Sequence, residues 1–122
     1  MYKKPLLINS FAATAALAAY TAVKFGADDN TVVAATTATD NVIGFTDEIG
    51  MTASALNMGL KVNVVVAGIA EATAGGTVTR GDRLTVNAAG QVVTAAAGNV
   101  QCGVAMASAV ANSVIPVLIN LS

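Results

Sequence analysis

The residues able to do chemistry are few and lie apart. The chain has no histidine and one cysteine. It therefore lacks the side chain that most often serves as general base and metal ligand near neutral pH. Cys102 has no second cysteine to pair with, and no Cys/His cluster offers a zinc site. It stands in the apolar run Cys102-Gly103-Val104-Ala105, where a cysteine behaves as a small buried hydrophobe. The carboxylates do not converge. Asp47 and Glu48 are neighbours on an expected loop, and Glu71 and Asp82 have no evident partner, so no acid–base pair is indicated. Asp28-Asp29 lacks the spacing of a calcium loop and reads as a solvated turn. Arg80-Gly81-Asp82 spells an integrin-binding tripeptide, but Gly-Asp ahead of a strand is first of all a turn. No phosphate-cradling glycine motif is present. Asn120-Leu121-Ser122 matches a glycosylation acceptor at the terminus and carries little weight. No catalytic, cofactor-binding or metal-binding residue is expected, and the chain reads as no enzyme.

The elements that would position such groups are short strands. Ile43-Gly44-Phe45-Thr46 is echoed by Cys102-Gly103-Val104-Ala105, and an apolar strand follows each, Val62-Asn63-Val64-Val65-Val66 and Ile115-Pro116-Val117-Leu118-Ile119. Aligning Gly44 with Gly103 puts Ile43 over Cys102 and Phe45 over Val104. Val64 then falls on Val117 once the intervening segment is shortened by six residues. This predicts a degenerate pseudo-repeat inside one domain. Residues 20–25 alternate, with Tyr20, Ala22 and Lys24 on one face and Thr21, Val23 and Phe25 on the other. A Gly/Asp/Asn turn at 26–30 and short strands at 31–35 and 42–46 follow. In residues 61–66 Val62, Val64 and Val66 share one face, while Lys61 and Asn63 keep the other partly wet. In residues 83–87 Leu84 and Val86 point inward, and Arg83, Thr85 and Asn87 outward. Gly90 closes the hairpin Asn87-Ala88-Ala89-Gly90 in a left-handed conformation. Pro116 cannot donate to a ladder and is expected at an edge or bulge, nitrogen outward. Residues 47–59 read as a loop, with one short helix as the alternative. The expected fold class is all-β, a small barrel or sandwich of short strands with an extended or partly helical N-terminal arm.

The chain of 122 residues fits one domain, divided into an arm, 1–19, and a β domain, 20–122. A domain of this size buries roughly two thirds of its unfolded surface and can fold without disulfides or metal. Hydrophobic residues make up 55%, but much of that is alanine and only 4% is aromatic. Small side chains bury little area each, so assembly is expected to supply part of the stability. Charged residues are 11%, against about 25% in an average domain. The net charge of −1 offers no basic field for nucleic acid and little repulsion between copies. At the N-terminus Lys3 and Lys4 precede Leu6-Leu7-Ile8 and an Ala-rich run to Tyr20, which imitates a signal peptide. Asn9, Ser10 and Thr14 interrupt that run, and it is too short and polar to span a membrane. The reading is an ordered arm, with a short helix over 11–19 as an option.

In order along the chain stand Val64-Val65-Val66-Ala67-Gly68-Ile69-Ala70-Glu71-Ala72, Gly75-Gly76-Thr77-Val78-Thr79-Arg80-Gly81-Asp82 and Val86-Asn87-Ala88-Ala89-Gly90-Gln91-Val92. With the later Cys102-Gly103-Val104-Ala105-Met106 and Val117-Leu118-Ile119, this series resembles tailed-bacteriophage capsid decoration (cement) proteins of the small prophage type. The resemblance covers about residues 20–121, and the order and spacing of individually weak motifs carry it. It implies a structural virion protein on the capsid exterior that binds and clamps major capsid proteins. It also implies self-association, a homotrimer first and a homodimer second, with no cofactor, nucleic acid or membrane partner. The alternative is an exported surface or fibre subunit with a signal-like start. A biotinyl- or lipoyl-type carrier would need a lysine at a hairpin tip, which neither Lys24 nor Lys61 supplies.

Overall fold

The computed structural model describes residues 4–120. Nine strands are described: β1 (Lys4–Ala13), β2 (Ala22–Phe25), β3 (Thr31–Ala34), β4 (Gly44–Thr46), β5 (Val62–Thr73), β6 (Arg83–Val86), β7 (Val92–Thr94), β8 (Gly103–Ala105) and β9 (Val114–Ile119). One short helix, α1 (Ala53–Asn57), interrupts them. The sheet runs β1-β3-β2-β4-β5-β9-β8-β6-β7, and β1 also pairs with β5. That extra pairing closes β1, β3, β2, β4 and β5 into a five-stranded barrel. Closure leaves those strands no open edge.

The first stave is formed by the segment expected as an extended arm. β1 pairs antiparallel with β5 from Lys4↔Ile69 to Phe11↔Val62, and parallel with β3 at Ala12↔Thr31 and Ala13↔Val32. Residues 11–13 are strand, and Leu17 then bridges Met51, so the optional helix over 11–19 does not form. Phe11 and Leu17 bury their side chains with Val23, Val32, Met51, Val62 and Val64 in the first core. Lys3 lies outside the described residues, as do Leu121 and Ser122 of the acceptor triplet.

The second half repeats the first in its hydrogen bonding. Ala13↔Val32, parallel, is matched by Ala74↔Val92, also parallel. Leu17↔Met51 is matched by Val78↔Ala109, Val23↔Gly44 by Leu84↔Gly103, and Thr46↔Val64 by Ala105↔Val117. Left-handed residues recur at equivalent turns: Tyr20 (φ 56) and Gly81 (φ 94), Asn30 (φ 61) and Gly90 (φ 74), Gly59 (φ 73) and Asn112 (φ 69). The glycine-centred echo thus marks a real structural repeat. Its halves share β5, whose first half serves the first barrel while residues 69–73 pair with β9. A register shift in β1 faces the point where Gly68 turns β5 with φ 91, a conformation that suits glycine at a bulge. The bridge Ala74↔Val92 ties the end of β5 to β7 and completes a second circuit, β5-β9-β8-β6-β7.

Each circuit has its own core. Val78, Leu84, Val92, Cys102, Ile115 and Val117 stand where the first barrel has Leu17, Val23, Val32, Ile43, Val62 and Val64. Ala22, Ala35, Val42, Phe45 and Val65 of the first half join this second core. They form the seam by which the second barrel packs on the outside of the first.

Three local expectations change or are refined. Thr85 points outward from its barrel but is buried all the same, its hydroxyl donating to the Ala38 carbonyl at 3.1 Å across the seam. Pro116 lies in β9, between β5 and β8, and not at an edge. Its carbonyl accepts from Met106 N at 3.0 Å, just past the end of β8. Backbone N and O of one strand residue point the same way, so the missing donor faces a place where the ladder has already stopped. The 47–59 segment is loop on both sides of α1, which Thr52 caps by accepting from Ala55 N at 3.1 Å.

Candidate interaction surface

The groups singled out for chemistry are spent on structure. Cys102 is fully buried, and that burial pushes its thiol up to about 12. A thiol so held has almost no thiolate at neutral pH. In native buffer Cys102 is expected to resist a thiol reagent such as iodoacetamide and to label fully in denaturant. Rapid native labelling, followed by mass spectrometry, would contradict this placement. In Arg80-Gly81-Asp82 the Asp82 carboxylate accepts from Thr79 N at 2.9 Å and from the Thr94 hydroxyl at 3.1 Å. Arg80 N donates to the Ser108 hydroxyl at 2.9 Å, so the tripeptide is a turn built into β6 and β7. Asp47 is buried and accepts from Ile49 N and Gly50 N, both at 3.0 Å. Glu71 sits half-buried opposite Pro116. Among the described residues no three His, Cys, Asp or Glu side chains gather as a metal site. Every buried side-chain nitrogen or oxygen among them has a partner. No described helix is long and apolar enough to cross a membrane.

Asp40 shows the same economy. One carboxylate oxygen accepts from Thr36 N at 2.9 Å and Thr37 N at 3.1 Å; the other meets Lys24 Nζ at 3.0 Å. The Thr36 amide first, and Lys24 next, hold this carboxyl far below the usual carboxylate range. Because the folded value is depressed, the stabilisation is whole above the unfolded value near pH 4 and is lost as pH falls through the folded one. Asn99 occupies the equivalent place in the second half and accepts from Ala96 N at 2.7 Å, so Asp40→Asn keeps the turn and removes the charge. Urea midpoints of wild type and Asp40→Asn are expected to differ at pH 7 and to converge as the pH is lowered from 4 towards 2. A gap independent of pH would refute the assignment.

What remains is surface. Two shallow clefts are open. One is lined by Arg83, Gln101 and residues 95–99, with Arg83 Nε donating to Gln101 Oε1 at 2.7 Å. The other is lined by Lys24, Phe25, Thr39, Asp40 and Asn41. Phe25 is 63% exposed although its ring meets Phe11 edge-on at 6.2 Å. On the outer face of the second barrel Val104, Leu118 and Ile69 lie side by side across β8, β9 and β5. Leu118 is 45% exposed there. Ile49, Met58 and Leu60, also exposed, belong to the loop around α1, which the second half shortens. Scattered exposed apolar residues are ordinary, whereas contiguous ones such as Val104, Leu118 and Ile69 make a candidate contact surface. No local pattern in the sequence marks a residue of these surfaces as a site; the exposure of Phe25 and Leu118 follows from the fold.

No protein-family model and no curated protein matches the chain. The fold is similar to a solved structure, the head fiber gp8.5 N base in bacteriophage phi29. The TM-score is 0.67 at 18% sequence identity, with 93% of this chain and 93% of that chain covered. At that identity the likeness is one of fold, and it extends over both barrels.

Proposed function

We propose that this chain is a structural protein of a phage virion. It attaches to the outer surface of the assembled head, as a homotrimer before a homodimer, and stabilises contacts between major capsid proteins. The observation that carries the reading is the fold shared with a phage head fiber base over 93% of both chains. Support also comes from the chain itself: 11% charged residues, the carboxylates of Asp40, Asp47 and Asp82 held in turns, and a sealed cysteine leave surfaces as its working parts. Contacts repeated by the symmetry of a shell turn modest site affinity into firm attachment. The export alternative is less favoured, because cleavage near Tyr20 would remove β1 and open the first barrel.

The test is to mix purified protein with undecorated, expanded heads of the phage that encodes it and to sediment the heads. Saturable binding at a fixed number of copies per head is expected. Absence of binding to that shell would overturn the proposal.

A further inference from the structure

The seam inside one chain is a heterologous contact, and each of its sides recurs unused elsewhere on the same chain. On the first barrel the accepting side is the cross-strand row Ala22–Phe45–Val65 with Ala35, Ala38 and Val42. On the second barrel the docking side is Thr85, Val86, Gly90 and Val100. Ala22 N donates to Gly90 O at 3.0 Å, and Val100 N to Ala38 O at 2.8 Å. Thr85 Oγ1 donates to Ala38 O at 3.1 Å.

The repeat says where the second set lies. The residues equivalent to Ala22, Phe45 and Val65 are Arg83, Val104 and Leu118, a row paired in the same way. Those equivalent to Ala35, Ala38 and Val42 are Ala95, Ala97 and Gln101, which line the first cleft. On the other barrel Lys24, Phe25 and Asn41 stand where the second has Thr85, Val86 and Val100, and they line the second cleft. Val86 is 2% exposed, in one core cluster with Ala22, Phe45 and Val65 of the first half, whereas Phe25, in the same place on the first barrel, is 63% exposed. Both clefts are therefore the two unused halves of one interface.

We infer that this chain associates with itself head to tail. The β2–β3 hairpin of one copy, led by Phe25, seats on Arg83, Val104, Leu118 and the 95–99 loop of the next. The side chains fit that assignment. Arg83 replaces Ala22 on the accepting side, and the approaching turn carries exposed Asp28 and Asp29; opposite charges across an interface orient it and speed encounter. Asn30 stands where Gly90 does, and Asp82, its carboxylate held by Thr79 N and the Thr94 hydroxyl, stands where Thr21 would meet a Cβ on Gly90 at 2.6 Å, so the tip sits farther out than in the seam. The contact is centred instead on Phe25, Lys24 and Asn41. A heterologous contact of this kind closes into a ring where the rotation allows and extends otherwise. The inference stands on the internal repeat and does not need the capsid reading.

A complementation experiment tests it. Phe25→Asp spoils the docking side and Leu118→Asp the accepting side; both positions are exposed, and each variant is checked for a native circular dichroism spectrum and melt. In sedimentation velocity wild type is expected to assemble as concentration rises, and each variant alone to stay monomeric. An equimolar mixture is expected to form a one-to-one pair, because one intact docking side and one intact accepting side remain. As a second measurement that avoids disruptive changes, the double variant Asn41→Cys/Ala97→Cys is oxidised; these positions correspond to Val100 and Ala38, which touch across the seam. A ladder of disulfide-linked chains is expected from the double variant and not from either single one. Monomeric wild type at every concentration would overturn the inference. So would variants that still assemble, or a mixture that stays monomeric while wild type assembles. Loss of capsid binding with self-association intact would count against the proposed function alone.

Discussion

A chain lacking residues 1–19 is expected to lose cooperative folding of its first barrel. β1 is hydrogen-bonded to β5 along one side and to β3 at its end, so its removal exposes the edges of two strands at once. It also takes Phe11 and Leu17 from the first core. Emptying a buried Phe or Leu site costs about 3–5 and 2–5 kcal/mol respectively, and a whole domain is stable by only about 5–15 kcal/mol. The deletion therefore removes most of the available stability before any lost ladder is counted. Urea denaturation followed by circular dichroism should show a broad or absent transition, with proton NMR signals collapsed. A truncated protein with a sharp, wild-type-like transition would mean that the first barrel closes without residues 1–19.

Substituting Gly44 by alanine is the second large effect expected, and Gly103 should behave alike. Both lie where a three-residue strand, β4 or β8, crosses the strand that ends its repeat. A Cβ at Gly44 would collide with the Val65 carbonyl oxygen and come within 2.8 Å of Val64 Cγ1. At Gly103 it would meet Val117 Cγ1 at 2.5 Å and Leu118 O at 2.8 Å. Backbone cannot yield as a flexible side-chain end can, so each change is expected to cost on the order of 1–3 kcal/mol or more, the range of overpacked cores. Gly76 is the control, since a Cβ there meets nothing within 4 Å; Gly76→Ala should stay within about 0.5 kcal/mol of wild type. Equal urea midpoints for Gly44→Ala and Gly76→Ala would remove the steric explanation for the paired glycines.

Those glycines are also the reason the repeat was legible in the sequence. A position that excludes every side chain leaves a mark that composition does not blur, and Gly44 over Gly103, with Val64 over Val117, is the register found in the hydrogen bonds. β1 was not legible for the opposite reason. Its 10 residues lack alternation, and its partner in β5 lies far along the chain, so nothing local declares it a strand. Alternation assigned Thr85 to the outer face correctly but could not say what covers that face; Ala38, from the other repeat, does. The candidate surfaces were illegible for the same reason. Phe25 and Leu118 become informative only when compared with Val86 and Val65, their buried equivalents.

The proposed role puts these two barrels on the outside of a phage head. Its most direct test is a cryo-EM reconstruction of heads incubated with the protein, compared with untreated heads. Added density is expected on the outer surface, at symmetry-related positions, into which pairs of barrels fit. Decorated and untreated heads that are indistinguishable at saturating protein, or added density on the inner face, would contradict it.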